Sequence, residues 1–187
     1  MGLQAARSGS GRHIATLPRA LANCRRGAAL VEFALVMPAV LALVLATLHT
    51  ALIYLAQEGL ETAAESAGRL IMTGQAQQGG LTQSAFKTAA CNSLPPFLTC
   101  SRLYVDVTTV SNYSTAVTGV PTFTYDTNGN VTNSFSYSTG TQGSIVVVRL
   151  MYLWPTANGP MGLNLSNTSG NNRLLLATSV LKTEYYY

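Results

Sequence analysis

Twenty-eight consecutive residues, Ala28 to Leu55 (AALVEFALVMPAVLALVLATLHTALIYL), carry one charged side chain, Glu32. A helix needs about 20 apolar residues to cross the hydrocarbon core of a bilayer, so this run has length to spare. A carboxylate at the centre of such a helix costs about 2.5–3.5 kcal/mol on insertion scales, which makes an intramembrane acid a functional candidate whose partner must be named. The sequence supplies a partner conditionally. Cleavage between Gly27 and Ala28 would create an α-ammonium four residues from Glu32, about 6 Å along a helix axis, where the two charges could neutralise each other within or between chains. The ordinary alternative is a signal anchor in which Glu32 sits near the cytoplasmic interface and hydrates itself. A secretory signal, with an apolar region of about 7–15 residues and a small-residue cleavage site, fits poorly because the run is too long and too late.

The charge balance supports a membrane topology. The net charge is +4, yet Arg7, Arg12, Arg19, Arg25 and Arg26 all precede Ala28 and no acid does. The remainder carries six basic against seven acidic side chains. Arginines clustered before an apolar helix hold the N-terminus in the cytoplasm and send the C-terminal region across the membrane. The other reading, a basic arm for nucleic acid, lacks aromatic interleaving and any DNA-binding motif, so no nucleic-acid partner is expected.

Arg25-Arg26-Gly27 followed by Ala28-Ala29-Leu30-Val31-Glu32-Phe33, then an apolar helix containing Pro38, resembles the class III signal of type IV pilins. It is most similar to the TadE-like pseudopilins, minor pilins of tight-adherence pilus systems. The likeness covers residues 25 to 50, returns weakly in the closing RLLLATSVLKTEYYY and is missing between. The resemblance implies cleavage after Gly27 by a membrane-embedded prepilin peptidase, with Glu32 as the fifth mature residue pairing with a neighbour's N-terminal amine. It implies as partners other pilin subunits and an inner-membrane assembly platform, and a passage from inner membrane to pilus. Small major pilins of these systems usually carry Glu-Tyr and almost no head; Glu32-Phe33 and a long C-terminal region favour a minor pilin.

The chain reads as three regions: a basic, polar leader over 1–27 with no capacity for a core, a long helix over 28–74 with its membrane segment at about 30–54, and an extracytoplasmic head over 75–187. Within the helix Ala42, Ala46 and Thr50 form a small-residue ridge, and Pro38 is expected to loosen the turn that contains Ala34. Past the membrane, Leu52, Leu55, Ala56, Leu60, Ala63, Ala67, Leu70 and Ile71 make an apolar stripe, and Glu65 stands four residues before Arg69. Gly74 ends the helix and QAQQGG links onward. TQSAFKTAAC (82–91) reads as a short helix with Phe86 and Ala89 inward. RLYVDVTTV, SIVVVRLMYLW and LLLATSVLKTEYYY read as strands, the second central, while Asn128-Gly129 signals a hairpin between two aromatic-bearing strands. The expected fold class is therefore α+β. About four antiparallel strands are laid on the amphipathic part of the long helix, the arrangement the pilin resemblance implies.

Cys24 falls in the leader. Cys91 and Cys100 remain as a pair that an oxidising compartment would close into a disulfide, adding about 2.5–3 kcal/mol on the chain-entropy model; two buried free thiols are the alternative. Catalytic chemistry is poorly supplied. His13 and His49 lie in the leader and the apolar run, and Asp106, Asp126 and Glu184 are scattered. No triad, zinc cluster, carboxylate pair or phosphate loop is legible, so neither enzyme, metal nor cofactor is expected. Asp126, Asn128 and Asn130 imitate the start of a calcium loop, but Val131 and Tyr137 stand where glycine and glutamate belong, and a turn is the better account. Two functions from different classes remain: a processed minor pilin, or an unprocessed single-pass adhesin or envelope protein.

Overall fold

The computed structural model describes residues 25–127, 130–156, 159, 162–168 and 170–185, with the Arg25 and Arg26 side chains excluded. The chain divides into two compact units, 1–44 and 45–187. One helix, α1 (Arg25–Met72), contains the whole apolar run and is long and apolar enough to cross a membrane. It begins before the expected Ala28 and stays helical through Pro38. Proline cannot make one intrahelical bond, and the helix continues on both sides of it. In the first unit the described apolar side chains stand exposed: Leu30, Phe33, Leu35 and Leu43 each keep at least 60% of their surface.

In the second unit α1 changes character. Ile53, Ala56, Leu60, Ala63, Ala64, Ala67 and Ile71 are buried in the core. Leu52 and Leu55, expected on this stripe, are exposed, and Ile53 takes the inward position. Leu52 precedes the buried face, which begins at Ile53, and Leu55 lies off the face that Ile53, Ala56, Leu60, Ala63, Ala67 and Ile71 define. Glu65 and Arg69 do not close into an ion pair; among the described residues the one salt bridge is Arg149–Asp106. Small residues permit close packing. A Cβ on Gly68 would lie 3.1 Å from both Leu181 Cδ2 and Ser179 Oγ, and one on Gly59 would run into the Pro95 ring.

Gly74, at φ 77°, turns the chain after α1, because a left-handed residue cannot continue a right-handed helix. A single turn, α2 (Gln75–Gln78), leads to α3 (Gln83–Asn92), whose start is capped by Thr82 accepting from Ala85 N at 3.3 Å. Phe86, Ala90 and Cys91 face the core; Ala89, expected inward, is half-buried, since Phe86 and Ala90 share the i,i+4 face. Cys91 and Cys100 form a disulfide, which resolves the choice against free thiols.

The sheet has three antiparallel strands in the order β1 (Leu103–Val110), β2 (Ile145–Pro155) and β3 (Asn172–Lys182). β2 is central, as its apolar run predicts for a strand covered on both faces, and Pro155 closes it. The long helix and the small antiparallel sheet make the expected α+β fold. The expected count of about four strands is not met. The aromatic-bearing segment 122–138 contributes one antiparallel bridge, Tyr125 to Val131, and one parallel bridge, Tyr137 to Val107. Asn128 and Gly129, the predicted turn, lie outside the described residues. Side-chain packing replaces a ladder there: Phe123 and Phe135 each stack about Tyr104 with centroids 5.7 Å apart, on the sheet face that also holds Met151, Leu153 and Leu174. Hairpin chemistry predicts that two segments meet; it does not oblige them to extend the sheet.

Candidate functional site

The candidate residues for assembly lie at the start of α1, where the sequence is helical because apolar and alanine residues with no break precede Pro38. Ala28, Glu32, Phe33 and Pro38 are exposed and Gly27 is half-buried. Ala28 and Glu32, four residues apart in one helix, occupy neighbouring positions on one face about 6 Å apart along the axis. Glu32 forms no ion pair with any described residue. An exposed acid on an otherwise apolar surface is chemically suited to a cation supplied from outside its own helix. Arg25 and Arg26 open the helix, and the rest of the predicted leader lies outside the described residues, as does Cys24.

Ala42, Ala46 and Thr50 are each half-buried amid exposed neighbours. Thr50 Oγ1 donates to Ala46 O at 2.9 Å, so the ridge offers no unsatisfied hydroxyl. His49 is half-buried on the same helix.

The head's own polar centre escaped the sequence reading. Asp106, 4% exposed, faces Arg149 directly across β1 and β2. Its carboxylate accepts from Arg149 Nη2 at 2.6 Å, Arg149 Nε at 2.9 Å and Ser136 N at 2.9 Å, while Arg149 Nη1 reaches Gly119 O at 3.4 Å. The two-pronged guanidinium satisfies a carboxylate that would otherwise be buried at a cost of several kcal/mol, about 3–5 when one partner of such a pair is lost. Residues 119 and 136 are thereby tied to the sheet. The available signal was one opposite charge in each of two apolar strands, RLYVDV and VVVRLM, but pairing them required a register that spacing does not supply.

Asp126 is part of a turn. Asn130 N donates to its Oδ1 at 2.8 Å and Asn130 Nδ2 to its Oδ2 at 2.9 Å, so both carboxylate oxygens are used locally. Among the described residues no group of three metal-ligating side chains converges. Glu184 N donates to Met72 O, fastening the segment after β3 to the end of α1. Asp106, Asp126 and Glu184 therefore hold three separate structural positions. Burial raises the Tyr137 and Tyr104 phenols above their ordinary value, with the Tyr125 phenol adding to the effect at Tyr104 and Arg102 opposing it. Tyr137 packs on Phe86 at 5.6 Å, a core contact. Tyr185 is 75% exposed; Tyr186 and Tyr187 lie outside the described residues.

No curated protein and no solved structure matches the chain. One family model does, that of the TadE-like proteins, over residues 27–69. The matched stretch starts at the predicted cleavage residue, contains Glu32, Phe33 and Pro38, and ends in the last turn of α1; the sheet, α3 and the disulfide lie outside it. Over residues 27–69, 43 of its 187 residues, the chain is similar to the TadE-like proteins.

Proposed function

We propose that the protein is a minor pilin, made as a precursor with residues 1–27 as a cytoplasmic leader, 28–74 as the long helix and 75–187 as an extracytoplasmic head. Arg25 and Arg26 hold the leader on the cytoplasmic side. A prepilin peptidase cuts after Gly27. The new Ala28 ammonium then meets the Glu32 carboxylate of an adjacent subunit, and Phe33 and Pro38 lie in the apolar helix that moves from the inner membrane into the filament. Its partners are the peptidase, other pilin subunits and the inner-membrane assembly platform. The observation that carries this reading is the solitary Glu32, without an ion pair among the described residues, on an exposed apolar helix similar to the TadE-like proteins. The Cys91–Cys100 disulfide supports an oxidising compartment for the head.

Mass measurement of the N-terminus in the native host tests the reading. A mature chain beginning at Ala28 is the expected result, and an intact Met1 or a cut beyond Leu45 favours the unprocessed, signal-anchored adhesin or envelope protein. Glu32→Ala separates processing from assembly. The variant is expected to insert and be cleaved normally while its recovery in sheared pili falls at least about tenfold, the equivalent of about 1.4 kcal/mol of lost pairing; normal recovery removes the role given to the acid.

A further inference from the structure

The two edges of the sheet are finished differently. Along the outer edge of β1, Val107 N donates to Ser136 O at 2.8 Å, Ser138 N donates to Val107 O at 2.9 Å, and Gln83 Nε2 donates to Val105 O at 3.1 Å. α3 and the disulfide-closed segment fill the adjoining flank of α1, where Pro95 touches Gly59. The outer edge of β3 is closed only over its first half. Asn167 takes the part of a paired residue there, accepting from Leu174 N at 2.7 Å and donating to Leu174 O at 3.3 Å. Gln57 Nε2 donates to Leu176 O at 3.0 Å.

These bonds also give the parity of the strand. The outward groups belong to the even-numbered residues, and the odd-numbered ones pair with β2. Leu176 N and both backbone groups of Thr178 and Val180 consequently point away from the sheet with no partner among the described residues. Thr178 Oγ1 is also screened from solvent and unpartnered. Beside this open stretch lies a cleft of about 380 Å³ between α1 and β3, lined by Ala64, Glu61 and Glu65 from the helix and residues 176–180 from the strand. Glu61 and Glu65 are exposed and neither forms an ion pair. LATSV at 176–180 has neither the proline nor the charge that usually blunts an exposed edge.

We propose that β3 receives, as a fourth strand over Leu176–Val180, an extended lysine- or arginine-bearing segment of a neighbouring pilus subunit. The unpaired backbone groups supply affinity by strand addition, and Glu61 and Glu65, one helical turn apart, select for basic side chains along the added strand. A second copy pairing by two-fold symmetry is disfavoured. It would bring the Glu61 and Glu65 carboxylates of both copies, four like charges, together along the shared edge. Only the setting of the partner in a pilus rests on the proposed function; the edge itself does not.

The test uses the full chain in detergent micelles with two synthetic peptides, one alternating valine and lysine, the other valine and glutamate. The lysine peptide is expected to bind at least about tenfold more tightly and to slow amide hydrogen exchange at Leu176, Thr178 and Val180. Val180→Pro removes one outward N–H while leaving the β2 ladder intact, and is expected to abolish binding. Should that variant fail to fold, the surface double variant Glu61→Lys with Glu65→Lys decides, by reversing the preference between the peptides. Equal binding of both peptides, protection elsewhere, or an unchanged preference in the double variant overturns the proposal. Protection of the same amides by self-association without peptide overturns it in favour of a second copy. N-terminal processing does not enter this measurement, so its outcome and that of the pilin reading are separable.

Discussion

Residues 27–44 and 53–71 of α1 share a backbone conformation and almost nothing else. The first stretch carries large exposed side chains, Leu30, Phe33, Leu35 and Leu43, with one acid among them. The second turns alanine and glycine inward: Ala56, Gly59, Ala63, Ala64, Ala67 and Gly68 are buried. Bulk suits a surface facing a fluid apolar solvent, where no complementary shape is required. Smallness suits a helix lying on a sheet, where each absent methyl group lets the backbones approach. Each stretch holds six alanines and glycines, so neither helix formation nor small-residue content decides the matter by itself; what divides the helix is that the second stretch buries its small residues in the core.

The largest expected effect breaks this division directly. Leu60→Ala empties a fully buried core position and should lower the stability of the head by about 3 kcal/mol, whereas Leu43→Ala, an identical change in the exposed stretch, should leave it within about 0.5 kcal/mol. Denaturant titration of both variants in the same micelles checks the pair; equal losses would end the distinction. Reduction of Cys91–Cys100, which closes the chain beside the Gly59–Pro95 contact, should cost about 2.5 kcal/mol in the same titration. Gly68→Val tests smallness from the other side. Its Cβ would lie 3.1 Å from Leu181 and Ser179, and the expected loss is about 1–2 kcal/mol.

The smallest effect is a pH dependence confined to the head. Tyr137 and Tyr104 have phenols raised above the ordinary 10.0 because burial disfavours the phenolate. The folded state therefore holds these protons more tightly than the unfolded chain. Their contribution is fully present below the ordinary phenol value and is lost as pH rises through the raised values. Thermal melts taken across that alkaline window should show the decline, and Tyr137→Phe should reduce it.

Much of this was legible in the chain. The 28-residue apolar run announced α1, Gly74 its end, and the pair Cys91 and Cys100 the disulfide. The features that escaped had a common cause. Leu52 fits the helical period as well as Ile53 does, so periodicity could not say where the buried face begins. Ala89 and Ala90 were alternatives of the same kind. The aromatic segment 122–138 has strand composition but finds its stability in rings packed about Tyr104, a contact between residues far apart in sequence. Asp106 and Arg149 were each visible as a lone charge in an apolar strand, yet only the pairing of Val107 with Val148 sets them opposite each other.

The sequence by itself determined the long helix, α3, the three strands of the sheet and the membrane candidate, because helix period, apolar length, glycine and proline act within a few residues of themselves. It also singled out Glu32, since a lone acid in an apolar run needs no partner to be conspicuous. Tertiary structure alone decided which strand edge is covered, where the buried ion pair forms and which face of α1 the sheet occupies. Those outcomes depend on register and on the order β1-β2-β3, quantities that belong to pairs of segments and that no single segment contains.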